Sequence, residues 1–237
     1  MDRYIHNPFT ILALIIFAGL VLLLLPFIFL GIVGTAFLNL GFTWREVFIL
    51  LLAILAGSFV NIPITTFEGR GLVYREEYVP FVRVLYRIPL VVERTTLAIN
   101  VGGGLIPLLI SLYLLAASVA MTRSFLVGGL ALLGVLLVSV VVHLTSRAVP
   151  GLGIVTPFFI APLSALCCGL ALSVPAGAGT MAAPVIAYTS GTLGTLIGAD
   201  LLNLGRIRDL GAPMVSIGGA GTFDGIFLAG VIAAFLA

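Results

Sequence analysis

From Thr10 to Gly34 the chain carries no charged residue, and several later stretches repeat the pattern. Uninterrupted apolar runs longer than ~18 residues mark transmembrane helices, because a helix needs about 20 residues to cross the hydrocarbon core. Barrel strands would read as ~10-residue alternating segments, and no such pattern dominates. With 61% hydrophobic and 8% charged residues, the chain has more apolar surface than a soluble core could hide. The expected fold class is an all-α membrane protein, a single transmembrane domain over residues 1–237. The first run is too long for a signal-peptide core and lacks a small-residue cleavage site, so it is expected to remain as an anchor.

Seven spans are predicted, over residues 10–34, 46–63, 100–121, 125–145, 152–174, 181–204 and 214–237. All 11 basic residues are arginine, which excludes lysine-base and Schiff-base chemistry. With seven spans, Arg3, Arg70, Arg75, Arg83, Arg87, Arg94, Arg147, Arg206 and Arg208 share one side, and only Arg45 and Arg123 the other. The positive-inside rule then predicts a cytoplasmic N-terminus, an external C-terminus and a cytoplasmic loop at 65–99. β-branched and aromatic residues alternate with charges in that loop, which predicts short strands, with Pro80 and Pro89 at edges. Its arginines suit either anionic headgroups or plain solvent. The location this implies is the plasma membrane of a prokaryote, with membrane lipids as partners.

Against this background two aspartates stand out. Asp200 and Asp224 lie inside the last two apolar stretches, where a carboxylate at mid-bilayer costs roughly 2.5–3.5 kcal/mol on insertion scales. An intramembrane acid is a functional candidate by default. Gly191, Gly194, Thr195 and Gly198 give the sixth span a small-residue face for close helix packing. Before Asp224, Gly218, Gly219 and Gly221 make a regular helix costly, so an unwound or kinked stretch is expected there, with Gly225 just beyond. On ideal helices Asp224 lies deeper than Asp200, and an unwound glycine segment would close that gap. Two carboxyl groups sharing one proton titrate as a unit, one ionised to activate water and one protonated to polarise a carbonyl. The competing use for Asp200 is an ion pair with Arg147 or Arg206 near the interface.

Asn61, Asn100, His143 and Asn203 are the other polar residues within spans, and are candidate accessories to the aspartates. One histidine and two scattered carboxylates make a poor metal set, so neither metal nor cofactor is expected. Cys167 and Cys168 are adjacent in an apolar span and read as packing residues. No phosphate-binding loop or dinucleotide fingerprint is present, and no nucleic-acid partner is expected.

Three segments, Gly57–Ile64, Ile197–Leu204 and Ser216–Phe227, resemble a prokaryotic family of small multi-span proteins catalogued as a domain of unknown function. The chain also resembles presenilin and signal-peptide-peptidase type intramembrane aspartyl proteases. Those enzymes carry one catalytic Asp on an outward-to-inward helix and a second, in a Gly-X-Gly-Asp motif, on the next helix. Asp200 and Asp224 match that order, and Gly221 matches the first motif glycine. Phe223 replaces the second, Ala199 stands where an aromatic residue precedes the first Asp, and no Pro-Ala-Leu element follows Asp224. The resemblance implies an intramembrane aspartyl hydrolase with Asp200 and Asp224 as its dyad and a transmembrane peptide as substrate. The alternatives are a proton- or cation-coupled carrier using the same aspartates, aided by breaks at Asn61–Pro63, Asn100–Pro107 and Gly218–Gly221, and a non-catalytic membrane scaffold. The oligomeric state is not legible from these residues.

Overall fold

The computed structural model describes residues 8–68, 72–79, 84–91, 94–122, 124–149, 153–177, 182–209 and 212–237. Arg3, Arg70, Arg83 and Arg123 of the charge count, and Pro80 of the loop, lie outside these residues.

The chain is mostly helical. Helix α1 (Pro8–Asn39) forms from the longest apolar run and accommodates Pro26 within it. Residues 11–28 are exposed on all sides, while Val33, Ala36 and Phe37 are buried where the helix end meets α7 (Gly225–Leu236). Helix α2 (Trp44–Gly57) opens on a reciprocal capping box, in which the Thr43 hydroxyl accepts from the Glu46 N–H and Glu46 Oε2 accepts from the Thr43 N–H at 2.7 Å.

Beyond Gly57 the prediction and the structure part. Residues predicted as the end of a span are instead strand β1 (Asn61–Glu68), antiparallel to β4 (Arg94–Asn100). The β-branched run favours extended backbone, and Pro63, which has no N–H to give, sits where the register slips between Pro63 and Thr65. Strands β2 (Leu72–Val79) and β3 (Val84–Val91) pair antiparallel between them. A five-residue π-helical turn, Val101–Leu105, leads from β4 into α3 (Ile106–Thr122). Helix α4 (Leu126–Thr145) follows, then a small hairpin of β5 (Arg147–Val149) and β6 (Gly153–Val155), then α5 (Ile160–Ser173).

Helix α6 (Ala182–Thr195) is the hub, packed against α3, α4, α5 and α7, with every residue from Val185 to Leu196 buried. Its small residues set the spacing: Gly194 lies on Val138, Gly198 on Ser139 and Gly191 on the Ala229 backbone. Strand β7 (Met214–Ile217) adds parallel to β4, giving the sheet order β1-β4-β7.

Four helical stretches are long and apolar enough to cross a membrane: Ile11–Asn39, Val101–Ala120, Leu126–Thr145 and Ala182–Arg206. Helices α2, α5 and α7 are shorter, and the last predicted span is α-helical only from Gly225 onward. Leu14, Phe17, Leu22 and Phe48 are each more than three-fifths exposed, as expected of side chains whose solvent is lipid.

Candidate functional site

Asp200 owes its position to a change of helix type. After Thr195 the helix widens into a π turn, Leu196–Asp200, in which the Leu201 N–H reaches the Leu196 and Ile197 carbonyls. In an α-helix residues five apart are turned about 140° from one another. A π turn closes its hydrogen bonds across five residues, so Thr195 and Asp200 fall on one side. The chain then tightens into 3-10 geometry over Leu201–Asp209. Asn203, buried beneath this transition, donates its amide to the Gly198 and Ala199 carbonyls at 3.0 and 2.8 Å and lies 3.3 Å from His143 Nδ1.

Asp224 is positioned by a broken backbone, as the glycines predict. Gly218 and Gly221 adopt φ of 71° and 62°, the left-handed region that glycine reaches without strain. Side chains there would also collide, Gly218 with the Gly103–Gly104 backbone and Gly221 with Ser58. Gly219 is held against the Ser216 carbonyl, whereas Gly225 faces open space and has no steric need to be glycine. The turn delivers Asp224 as the N-cap of α7. Its Oδ1 accepts from the Ile226 N–H at 3.0 Å and its Oδ2 from the Ala220 N–H at 3.3 Å. Because residues 214–224 are strand, turn and 3-10 rather than helix, the depth mismatch of two ideal helices does not arise.

Both carboxylates line one cavity of about 530 Å³, together with Thr156, Thr195, Ser216 and the apolar Pro157, Phe158 and Met214. Asp200 is half-buried and within Coulombic range of Asp224. Among the described residues it has no hydrogen-bond or ion-pair partner, so the pairing with Arg147 or Arg206 weighed from sequence does not form there. An apolar groove of about 1040 Å³ runs between α1 and α2, lined by Phe29, Trp44, Thr222 and Phe223 among others.

The four polar accessories predicted from sequence do not line the acid cavity. They form two brackets around it. His143 and Asn203 hold the π turn, as described. Asn100 donates to Asn61 Oδ1 at 3.1 Å and to the Ser58 carbonyl at 2.8 Å, and accepts from the Gly103 N–H at 2.9 Å. Ser216 donates to Asn61 at 2.6 Å, and the Ser58 hydroxyl accepts from the Thr222 N–H at 3.2 Å. Ser58, Thr156 and Ser216 are the contributors that sequence reasoning passed over, and Thr195 was read only as part of a packing face. Ser58 and Ser216 lay inside the segments it singled out, while Thr156 carried no comparable signal. Among the described residues, no three His, Cys, Asp or Glu side chains gather into a metal-binding group.

Four helical stretches able to cross a bilayer, the last of which carries Asp200 into a carboxylate-lined cavity, fit a helical membrane protein. The chain belongs to the family described as "Protein of unknown function (DUF1614)", which matches residues 55–236. No curated protein and no solved structure matches it.

Proposed function

We propose that the protein is an intramembrane aspartyl hydrolase that uses Asp200 and Asp224 to cleave an amide bond in a transmembrane peptide. The carrying observation is that both carboxylates line one cavity while Asp200 has no ion-pair partner among the described residues. Asp224, accepting two backbone N–H groups, suits the ionised member; Asp200 suits the member that carries the shared proton. In the reaction, the ionised carboxylate takes a proton from water as the water oxygen bonds to the carbonyl carbon. The protonated carboxyl gives its proton to the carbonyl oxygen. The tetrahedral intermediate then collapses: the carboxyl that took the water proton gives it to the nitrogen, the other carboxylate takes a proton from a hydroxyl of the intermediate, and the C–N bond breaks, giving a carboxyl and an amine product and restoring the dyad. The apolar groove lined in part by Thr222 and Phe223, the residues just before Asp224, suits an apolar membrane-borne substrate.

The test is cleavage of labelled transmembrane peptides by purified protein in liposomes. Loss of cleavage in both Asp200→Asn and Asp224→Asn supports the reading, and no cleavage of any peptide sinks it. Asn caps helices about as well as Asp, so Asp224→Asn separates chemistry from folding.

A second reading, a proton- or cation-coupled carrier, is favoured by the packing of two interrupted segments against each other. Gly103 in the first π turn abuts the Gly218 and Gly221 backbone, and broken helices of this kind house ion sites in transporters. Its test is ion-driven flux in the same liposomes. In either case the proposed setting is the plasma membrane of a prokaryote, with α2, α5 and α7 completing seven passes. The N-terminus and the β2–β3 region would be cytoplasmic and the C-terminus outside. Reporter fusions at both ends test this, and reporters active on the same side would refute an odd number of passes.

A further inference from the structure

Five of the side chains that line the acid cavity are polar: Thr156, Thr195, Asp200, Ser216 and Asp224. A hydroxyl has one hydrogen and two lone pairs, so the use of each can be followed. Ser146 gives its hydrogen to the Val142 carbonyl at 2.7 Å, so in its 2.7 Å contact with Thr156 it can only accept. Thr156 is the donor there, and its hydrogen is spent on a residue outside the lining. Ser216 spends its hydrogen likewise, on Asn61 Oδ1 at 2.6 Å. In the turn, the Gly219 and Gly221 N–H groups go to the Ser216 and Gly218 carbonyls, and that of Ala220 goes to Asp224.

What these side chains have left is lone pairs. Thr156 and Ser216 can only accept, and the Asp200 carboxylate has no partner among the described residues. Thr195 keeps the one unspent hydroxyl hydrogen: it is 4% exposed, and its enclosed oxygen has no hydrogen-bond partner. An enclosed hydroxyl left unpaired costs stability unless a ligand pairs with it. No residue of the lining is basic, so two carboxylates in Coulombic range of each other face no cation of the protein's own. An anion would be repelled there. The rest of the wall is mostly apolar, with Pro157, Phe158, Met214 and Leu228. The cavity's volume of about 530 Å³ is far more than a bare ion fills, and lies within the roughly 300–1,000 Å³ of small-molecule sites.

We infer that the acid cavity is a binding site for a primary ammonium group carried on an aliphatic stem. The ammonium brings hydrogens and positive charge to a wall of lone pairs and carboxylates, and its stem lies along the apolar residues. The one hydrogen left over, on Thr195, suits an acceptor on the same ligand, such as a peptide carbonyl. A lysine residue in a peptide carries all three features. If the hydrolase reading holds, this is the subsite for a lysine side chain beside the scissile bond, and the dyad, sharing one proton, keeps one negative charge to meet it. The site itself does not depend on that reading.

The test uses the full chain in neutral-detergent micelles, with n-butylammonium as the probe and the melting temperature as the readout. At constant ionic strength, saturating n-butylammonium should raise the melting temperature by at least about 3 °C. n-Butanol, without the charge, and n-butyltrimethylammonium, without N–H groups, should each give less than about a third of that rise. The rise should vanish in Asp200→Asn and in Asp224→Asn, the second of which keeps its helix cap. No rise with n-butylammonium, an equal rise with either control or with sodium, or a rise that survives in both variants would overturn the inference. In the cleavage assay, a peptide with lysine beside the cut should be cleaved at least about tenfold faster than its norleucine counterpart, which lacks the ammonium. Stabilisation by n-butylammonium in a protein that cleaves no peptide would keep the site and remove the hydrolase. Cleavage indifferent to lysine, without that stabilisation, would do the reverse.

Discussion

Helices α1 and α6 invert the logic of a soluble protein. Residues 11–28 of α1 are almost purely aliphatic and aromatic, yet stand exposed: Leu14 is 67% exposed and Phe17 66%. Helix α6 carries tyrosine, serine and three threonines, yet is buried from Val185 through Leu196. In water these positions would be exchanged. In lipid the apolar helix is already in its preferred solvent, and helix association relies on close packing of small residues and on polar contacts. Apolar content therefore goes with exposure in α1, and polar content with burial in α6.

The comparison can be broken or sharpened experimentally. The largest effect should fall on the acids of the hub: Asp200→Asn or Asp224→Asn should lower peptide cleavage about a thousandfold while the protein still folds. That result is read from rates on labelled peptides beside thermal melts. The next largest is a matched pair of core and rim. Ile186→Ala in α6, fully buried, should destabilise by about 2–5 kcal/mol. Leu14→Ala in α1 should stay within about 0.5 kcal/mol. Equal effects in reversible unfolding from micelles would remove the distinction between the two helices. A smaller loss, about 1–3 kcal/mol, is expected for Gly230→Ala, whose new methyl meets the Thr192 hydroxyl and forces the α6–α7 seam apart. The smallest is Thr43→Ala, which removes the α2 capping box at about 1 kcal/mol, measured by the same melts.

Much of the site was legible because charge in an apolar run is conspicuous. Asp200 and Asp224 were visible on that ground alone, and Gly218 and Gly221 marked the break that the positive φ values now explain. Helix ends were also visible where composition changes sharply, as at Leu126–Thr145. The stretch after Gly57 was misread because Val60, Ile62 and Ile64 extend the apolar character of α2, although their alternation suits a strand. What selects the strand is distant in sequence: Asn61 pairs with Asn100 across β1 and β4, and Ser216 joins them from β7. The roles of His143 and Asn203 were hidden for a related reason, since their value lies in bracing a π turn that periodicity does not announce.

That turn has a consequence for how relatives of this chain should be aligned. A π turn is an α-helix with one residue too many, so deleting any single position between Leu196 and Ala199 would restore ordinary helix. The greasy character of the segment would scarcely change, and a hydropathy plot would not register the loss. The acid would then stand four residues after Thr195 in an α-helix, about 40° round, and would still face its chamber. A one-residue gap at this place, in a sequence otherwise similar throughout, is therefore compatible with a copy that keeps its acid in register. Straightening all five residues into plain α-helix, by contrast, would turn the acid about 140° from Thr195.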